Sequence, residues 1–332
     1  MFFSIVIPTY NRATLLPNLL DSLSKLRIPT DTEWEIIIVD NNSTDSTKDV
    51  VDRHIKQKRL PLRYIFEKEQ GASNARNKGI RESKGEIVAF LDDDETVDEN
   101  WLAALHEGFD RFQCAGLGGK TVAQWTFPAP EWYTTEGPFR IVGAVVTHNL
   151  GDGNLDYPVG KLLPGSGNMA VKKDCFQKYG FFRNDMGPIG DEYNFSEDTE
   201  FCARLIKGGE RLVYWPKALA YNRVHQERAT KEYLRLYHFR LGRARAQLHQ
   251  PTKGERVYFN VPRYFFRMYG EALIQFLWAV VRRNKSAVFY YRLTLNRIGG
   301  QIIQHLLEKP PGPFRKFYKF LIKERRMGAS KT

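Results

Sequence analysis

The chain has 332 residues, 42% hydrophobic and 27% charged, with a formal net charge of +12. That balance suits a globular protein that buries its core without disulfide support, and it excludes intrinsic disorder, collagen and a coiled-coil rod. A mean hydropathy of −0.46 argues against a polytopic membrane protein.

The predicted elements alternate through the first half. Residues 3–8 form a short apolar run, followed by Leu15, Leu16, Leu19, Leu20 and Leu23 at helical spacing. Residues 35–40 hold three consecutive isoleucines, the pattern of a strand buried on both faces of a parallel sheet. A helix is expected over 45–57, a strand over 62–66, a helix over 72–83, a strand over 86–91 and a helix near 99–112. This β-α-β-α order predicts an open, mostly parallel α/β sheet with helices on both faces. The middle, about 114–194, is less regular and rich in Gly, Pro and aromatics, including Trp125, Trp132, Tyr133 and Phe139. One more strand is expected at 167–171. A helix opens after Ser196, a suitable N-cap, with acids in its first turn. Residues 211–215 read as a strand.

After His225 the composition changes. Residues 223–332 hold 24 Lys and Arg against 6 Asp and Glu, a net +18, so the first 222 residues carry −6. A basic helix is expected over 230–250, and two amphipathic segments over 264–281 and 287–307. The longest uninterrupted apolar run there, 276–281, falls far short of the roughly 20 residues a membrane-spanning helix requires. Such segments suit either the surface of an anionic membrane or a helical subdomain packed on the first. Nucleic acid is not expected, because no helix-turn-helix, zinc-finger or RNA-binding signature is present. Cys114, Cys175 and Cys202 are odd in number and form no CxxC pair, as expected of reduced thiols in a cytoplasmic protein. No signal peptide is read at the N-terminus.

In open α/β sheets ligands bind beyond the carboxyl ends of the strands. Residues 8–11, 40–43 and 92–94 are polar clusters at those ends and should converge. Asp92, Asp93 and Asp94 repel one another unless a cation compensates, and hard divalent ions take oxygen ligands and bridge to phosphates. The same acids would also serve as solvated residues ahead of the next helix.

Five segments in order, Ser4-Ile-Val-Ile-Pro-Thr-Tyr-Asn-Arg12, Ile37-Ile-Val-Asp-Asn-Asn-Ser-Thr-Asp45, Gly71-Ala-Ser-Asn-Ala-Arg-Asn-Lys-Gly79, Phe90-Leu-Asp-Asp-Asp94 and Ser196-Glu-Asp-Thr-Glu200, resemble a family 2 glycosyltransferase of the GT-A fold. The resemblance covers about residues 3–225. It implies a GT-A catalytic domain over 1–225, and the charge and helical spacing beyond it lead us to expect a basic amphipathic helical extension over 226–332, associated with membrane. It implies that Pro8, Thr9, Tyr10, Asp40, Arg76, Asp92, Asp93, Gly167 and Asn168 contact a nucleotide-sugar donor, with UDP the favoured nucleotide. Many relatives have a second acid where this chain has Asn41. Mn²⁺ or Mg²⁺ is implied at Asp94, with Asp92 and His225. Asp198 is the implied general base of an inverting transfer, with Glu197 beside it. Gly165-Ser-Gly-Asn168 is similar to the small-residue segment that lets donor sugar approach the backbone, and a simple turn is the other reading.

Processive relatives carry several membrane spans and a Gln-x-x-Arg-Trp motif. The nearest tetrad here, His225-Gln226-Glu227-Arg228, is followed by Ala229. A single-addition transferase is therefore expected, taking a glycan or lipid-linked acceptor of the cell envelope at the inner face of the cell membrane. Two other readings remain. A sugar-phosphate nucleotidylyltransferase would want a Gly-rich loop after the first strand, which residues 8–11 do not supply. A non-enzymatic basic membrane-binding protein would leave the acids as solvated surface.

Overall fold

The computed structural model describes residues 1–134, 137–141, 147–158, 162–186, 197–247 and 256–308. By their contacts they fall into two units, Met1–Pro128 with Val145–His225, and Ala129–Ala144 with Gln226–Thr332.

The first unit runs β1 (Phe2–Thr9), α1 (Leu16–Leu23), β2 (Glu33–Asp40), α2 (Thr47–Gln57), β3 (Leu62–Phe66), α3 (Ala72–Glu82), β4 (Ile87–Leu91), β5 (Glu95–Val97), α4 (Trp101–Phe112), β6 (Gly116–Gln124), β7 (Leu155–Asp156), β8 (Asn168–Lys172), α5 (Asp174–Tyr179), α6 (Glu197–Lys207) and β9 (Leu212–Arg223). One sheet holds all nine strands, in the order β3-β2-β1-β4-β8-β6-β9-β5, with β7 added beside β9. The β3-β2-β1-β4 half is parallel. The other half is mixed, because β8 runs antiparallel to both β4 and β6 and β5 runs antiparallel to β9. The open, mostly parallel sheet expected from the alternating elements is present, and its continuous parallel run ends at β4.

Alternate residues of the central strands enter opposite cores, which is why their sequences are apolar without a break. Phe3, Ile5, Ile7, Ile36 and Ile38 pack with the leucines of α1 and with Trp101 and Phe109 of α4. Val6, Ile37, Val39, Val88 and Phe90 pack on the other side with Ala75 and Ile80 of α3 and Phe201 and Leu205 of α6. Each such side chain contributes about 1.5–3 kcal/mol by leaving water. Gly79 lets α3 lie close, since a Cβ there would stand 2.3 Å from Val6 Cγ1. Cys114, Cys175 and Cys202 are buried free thiols.

The second unit contains α7 (Lys231–Gln247), the two-stranded hairpin β10 (Val257–Tyr258) and β11 (Val261–Pro262), α8 (Arg263–Val281) and α9 (Lys285–Glu308). Helices α7 and α9 approach backbone to backbone. A Cβ on Gly242 would lie 1.9 Å from the Arg297 carbonyl oxygen, and one on Gly300 would lie 2.1 Å from that of Phe239. Segment 129–144 groups with these helices rather than with its sequence neighbours. Trp132 packs edge-on to Phe289 at 5.3 Å, and Phe139 sits 5.8 Å from Tyr290. Ser196, expected as the N-cap of α6, and the basic tail 309–332 lie outside the described residues.

Candidate active site

Parallel strands β1, β2 and β4 all end on one edge of the sheet, and the loops leaving them are tied together. Asn11 adopts a left-handed backbone (φ 53°). Its N–H donates to Ser43 Oγ at 2.9 Å, and its side-chain oxygen accepts from the Thr44 and Asp45 N–H groups. Asp45 returns the link by accepting from the Ala13 N–H. Pro8 is half-buried, Thr9 buried and Tyr10 exposed on this loop.

Asp40, at the end of β2, is buried, and its two oxygens accept from the Ser43 N–H at 2.9 Å and the Tyr64 hydroxyl at 2.8 Å. The neighbouring Asn41 staples the end of β2 to the loop 67–71. Its amide nitrogen donates to the Glu67 and Glu69 carbonyls while its oxygen accepts from the Gly71 N–H. A carboxylate has no N–H to donate, so this geometry requires Asn at the position where many relatives place an acid.

Arg76 of α3 forms the centre of the site. It is 5% exposed, donating from Nη1 to Glu197 Oε1 at 2.6 Å and from Nη2 to Asp92 Oδ1 at 3.0 Å. Its Nε is buried without a hydrogen-bond partner among the described residues. One guanidinium therefore joins the exit of β4 to the start of α6, with Glu197 lying 121 residues beyond Arg76. Asp198 follows Glu197 in the first turn of α6. Its Oδ2 accepts from the Ser166 N–H at 2.9 Å and its Oδ1 from the Thr199 N–H at 2.6 Å. Because β8 is antiparallel to β4, Asn168 pairs with Leu91, and the residues ahead of β8 arrive beside Asp92. A Cβ on Gly167 would lie 2.9 Å from Glu95 Oε1 and 3.0 Å from Asp92 Oδ2. One on Gly165 would lie 3.6 Å from Asp198 Oδ2. Segment 165–167 thus runs between the two acids, with glycine where a side chain would fill the gap.

The cluster is crowded with negative charge. Burial and the adjacent Asp94 push Asp93 up to about 7, against the pull of Arg12, whose Nε is 3.6 Å away. Burial and Asp198 push Glu197 up to about 7 despite Arg76. Asp92 is raised by its enclosure and by Asp94, with Arg76 opposing. Glu95 lies well above the ordinary carboxylate range, because it is 1% exposed beside Asp92 and Asp94. Carboxylates that hold protons in this way are short of cations. Asp94 Oδ2 stands 3.4 Å from His225 Nε2, so one carboxylate oxygen and one imidazole nitrogen face a common point. The donor set fits a hard or borderline divalent ion whose remaining positions go to water or phosphate. Arg76 holds one oxygen of Asp92, and among the described residues no group of three His, Cys, Asp or Glu is arranged around one point. A mostly polar hollow of about 590 Å³ opens beside Asp94 and Glu95, past Asn18, Lys25, Gln124 and Arg223.

The arrangement resembles known proteins. Residues 4–144 match the family model described as glycosyl transferase family 2. The chain is 26% identical over 253 residues to the succinoglycan biosynthesis protein ExoM of Rhizobium meliloti, covering 75% of each protein. Its first 144 residues are thus similar to glycosyl transferase family 2. Solved structures carry the same GT-A fold and show the fold alone at their low identity. The Staphylococcus aureus TarS structure in complex with UDP-GlcNAc aligns with a TM-score of 0.52 at 18% identity, over 91% of this chain and 93% of that one. A mannosyltransferase from Pyrobaculum calidifontis in complex with GDP-Man and Mn²⁺ aligns with a TM-score of 0.59 at 17% identity, over 92% and 87%. The chain is a glycosyltransferase.

The structure brings Arg76, Asp92, Gly167, Glu197 and Asp198 together and sets Asp94 against His225. Asn168 is otherwise engaged. Its oxygen accepts from Trp101 Nε1 at 2.9 Å, and its nitrogen donates to the Lys120 and Ala218 carbonyls. These contacts tie β8 to α4, β6 and β9. Asp40 is likewise held by its own neighbours. Sequence reasoning missed Ser166, whose N–H fixes Asp198, and Glu95, buried next to Asp92. The run Asp92-Asp-Asp-Glu95 was the available signal for Glu95, since a fourth consecutive acid at a strand exit is costly unless it is used or protonated.

Proposed function

We propose that this glycosyltransferase moves a sugar from a nucleoside-diphosphate donor, a UDP-sugar, to a hydroxyl of a glycan or lipid-linked acceptor of the cell envelope, with inversion and one addition per encounter. The observation that carries the reading is the bridge from Asp92 through Arg76 to Glu197, with Asp198 across the glycine segment. It gathers an anion-compensating cation, a carboxylate base and an open backbone within one cluster.

In this reading the acceptor hydroxyl attacks the anomeric carbon while Asp198 takes its proton, and the sugar–phosphate bond breaks on the opposite side. A single displacement of this kind inverts the centre. The Ser166 and Thr199 N–H groups hold the base in place. Its proton transfer is worth roughly 10²–10⁴ in rate. Arg76 keeps Glu197 and Asp92 in register. Asp94 and His225 would hold Mn²⁺ or Mg²⁺, which supplies positive charge to the leaving diphosphate when bound. Gly167 leaves room for the donor sugar. Single addition is supported by the missing Gln-x-x-Arg-Trp motif and by the absence, among the described residues, of a helix long and apolar enough to cross a membrane. The acceptor side is read as the inner surface of the cell membrane, on the strength of the basic second unit.

The test combines Mn²⁺ with a panel of nucleotides and sugar nucleotides, read first as a shift in melting temperature of the full chain, since a ligand bound to the native state raises it. Transfer is then followed for the sugar nucleotide that shifts most. Asp198→Asn should lower turnover by roughly 10²–10⁴ while the melting shift remains. Full turnover in that variant removes Asp198 from the chemistry, and release of pyrophosphate in place of a nucleoside diphosphate overturns the reaction class.

A further inference from the structure

Helix α8 is 19 residues long, about 28 Å at the usual rise. Only Phe265, Ala272 and Ala279 of it are buried, one every seven residues, a narrow seam. A broad apolar face stays in water. Phe266 is 41% exposed, Leu273 40%, Ile274 65%, Leu277 55%, Trp278 53% and Val281 73%. The hairpin ahead of the helix extends this face. Its tip, Phe259–Asn260, takes two left-handed residues (φ 50° and 66°), which presents Phe259 at 69% exposure. Tyr258 lies 6.5 Å from Phe266, so tip and helix form one strip. Contiguous apolar surface of this kind marks a docking face.

Cations rim the strip. Arg263 stacks over Tyr258 at the start of α8, and Arg282 stacks over Trp278 at its end, 4.7 Å from the ring. Arg283 and Lys285 follow. Residues 256–308 hold eight Lys and Arg against two Asp and Glu. A second copy of this chain seated on the strip would set the same arginines against each other, with Glu271 the lone acid on α8 to offset them. An anionic lipid surface offers the opposite charge, an apolar layer for the leucines and isoleucine, and an interfacial zone where Trp, Tyr and Arg are at home.

We propose that α8 and the Phe259 hairpin tip form the membrane-docking face of this protein, lying flat in the headgroup region of an anionic bilayer. The inference gives residues to the membrane association read above and rests on the second unit alone, so sugar transfer and membrane docking can fail separately.

The experiment is co-sedimentation of the full chain with vesicles of phosphatidylcholine alone and of phosphatidylcholine with phosphatidylglycerol, at low and high salt. The wild type should pellet with the anionic vesicles and release as salt rises. The double variant Ile274→Glu, Leu277→Glu should bind about tenfold more weakly or worse, with unchanged circular dichroism and an unchanged nucleotide melting shift, because both side chains are exposed. Arg282→Gln with Arg283→Gln should weaken binding roughly fivefold per residue and flatten its salt dependence. Equal binding by the wild type and the Glu variant overturns the proposal. So does equal binding to neutral and anionic vesicles. A concentration-dependent dimer that the Glu variant abolishes would assign the strip to a second copy of the chain. A wild type that pellets but shows no nucleotide shift would leave docking standing and remove the donor reading.

Discussion

Replacing Arg76 by Met removes the cation between two carboxylates, and the structure sets the size of the effect. Glu197 is 6% exposed and 2.6 Å from the guanidinium, so it becomes a buried charge without a counter-ion. Asp92 is 38% exposed at its side chain and recovers part of its loss from water. Breaking a buried pair from one side costs about 3–5 kcal/mol, and the Glu197 bond accounts for most of that here. The loss should depend on pH. Burial and Asp198 already push Glu197 up to about 7 with Arg76 in place. From its ordinary 4.5 to about 7 the folded chain keeps a proton that the unfolded chain has released. This group's contribution is therefore complete below 4.5 and declines as pH rises through that window. Without Arg76 the folded value moves higher, and the decline continues above 7, widening the gap between variant and wild type by about 1.4 kcal/mol per pH unit. Native-state hydrogen exchange on peptides from α3, β4 and α6, measured at pH 6 and pH 8.5, reads this unit without assuming that the chain unfolds in one step. The penalty should be small at pH 6 and reach about 2 kcal/mol at pH 8.5. Adding Glu197→Gln should restore part of the protection at pH 8.5. A penalty that does not change with pH, or no rescue by Glu197→Gln, would refute an uncompensated charge as its cause.

Asn41→Asp loses two donors that face the Glu67 and Glu69 carbonyls, and should cost about 1–3 kcal/mol, seen as a lower melting temperature and faster exchange over 67–71. Gly167→Ala puts a methyl 2.9–3.0 Å from Glu95 and Asp92, and should cut turnover by about tenfold or more with little change in melting temperature, whereas Gly165→Ala at 3.6 Å should be tolerated. Gly300→Ala drives a Cβ to 2.1 Å from a backbone oxygen of α7. It should cost about 1–3 kcal/mol in the second unit, visible as faster limited proteolysis of α7 and α9, while nucleotide binding persists.

The parts of this molecule that could be read in advance are those where local sequence and tertiary demand agree. β1, β2 and β4 are buried on both faces, so their apolar runs announce them. The leucines of α1 and the apolar spacing of α8 and α9 do the same. β6 was missed because Gly116, Gly118 and Gly119 carry no strand signal. Their reason is remote, since a Cβ on Gly118 would meet the Tyr157 hydroxyl at 2.7 Å and one on Gly119 the Ala218 carbonyl at 2.3 Å. The partners of Asn168 were hidden for a related reason. A polar residue after two glycines resembles a ligand contact, yet its partners are carbonyls 48 and 50 residues away and an indole at 67. The bond from Arg76 to Glu197 spans 121 residues, so the motif order announced both residues while nothing local announced their contact. Trp132, left without a role, packs on Phe289 within the second unit.

The reversed direction of β8 has a consequence for how such an enzyme can diversify. Gln124 closes one strand and Asn168 opens another, and both strands are locked into the same sheet. The thirty residues between β6 and β7, 125–154, can lengthen, shorten or be rewritten while the acids on either side of Gly167 keep their spacing. Selection can then try new substrates in that interval and leave the chemistry it already has intact.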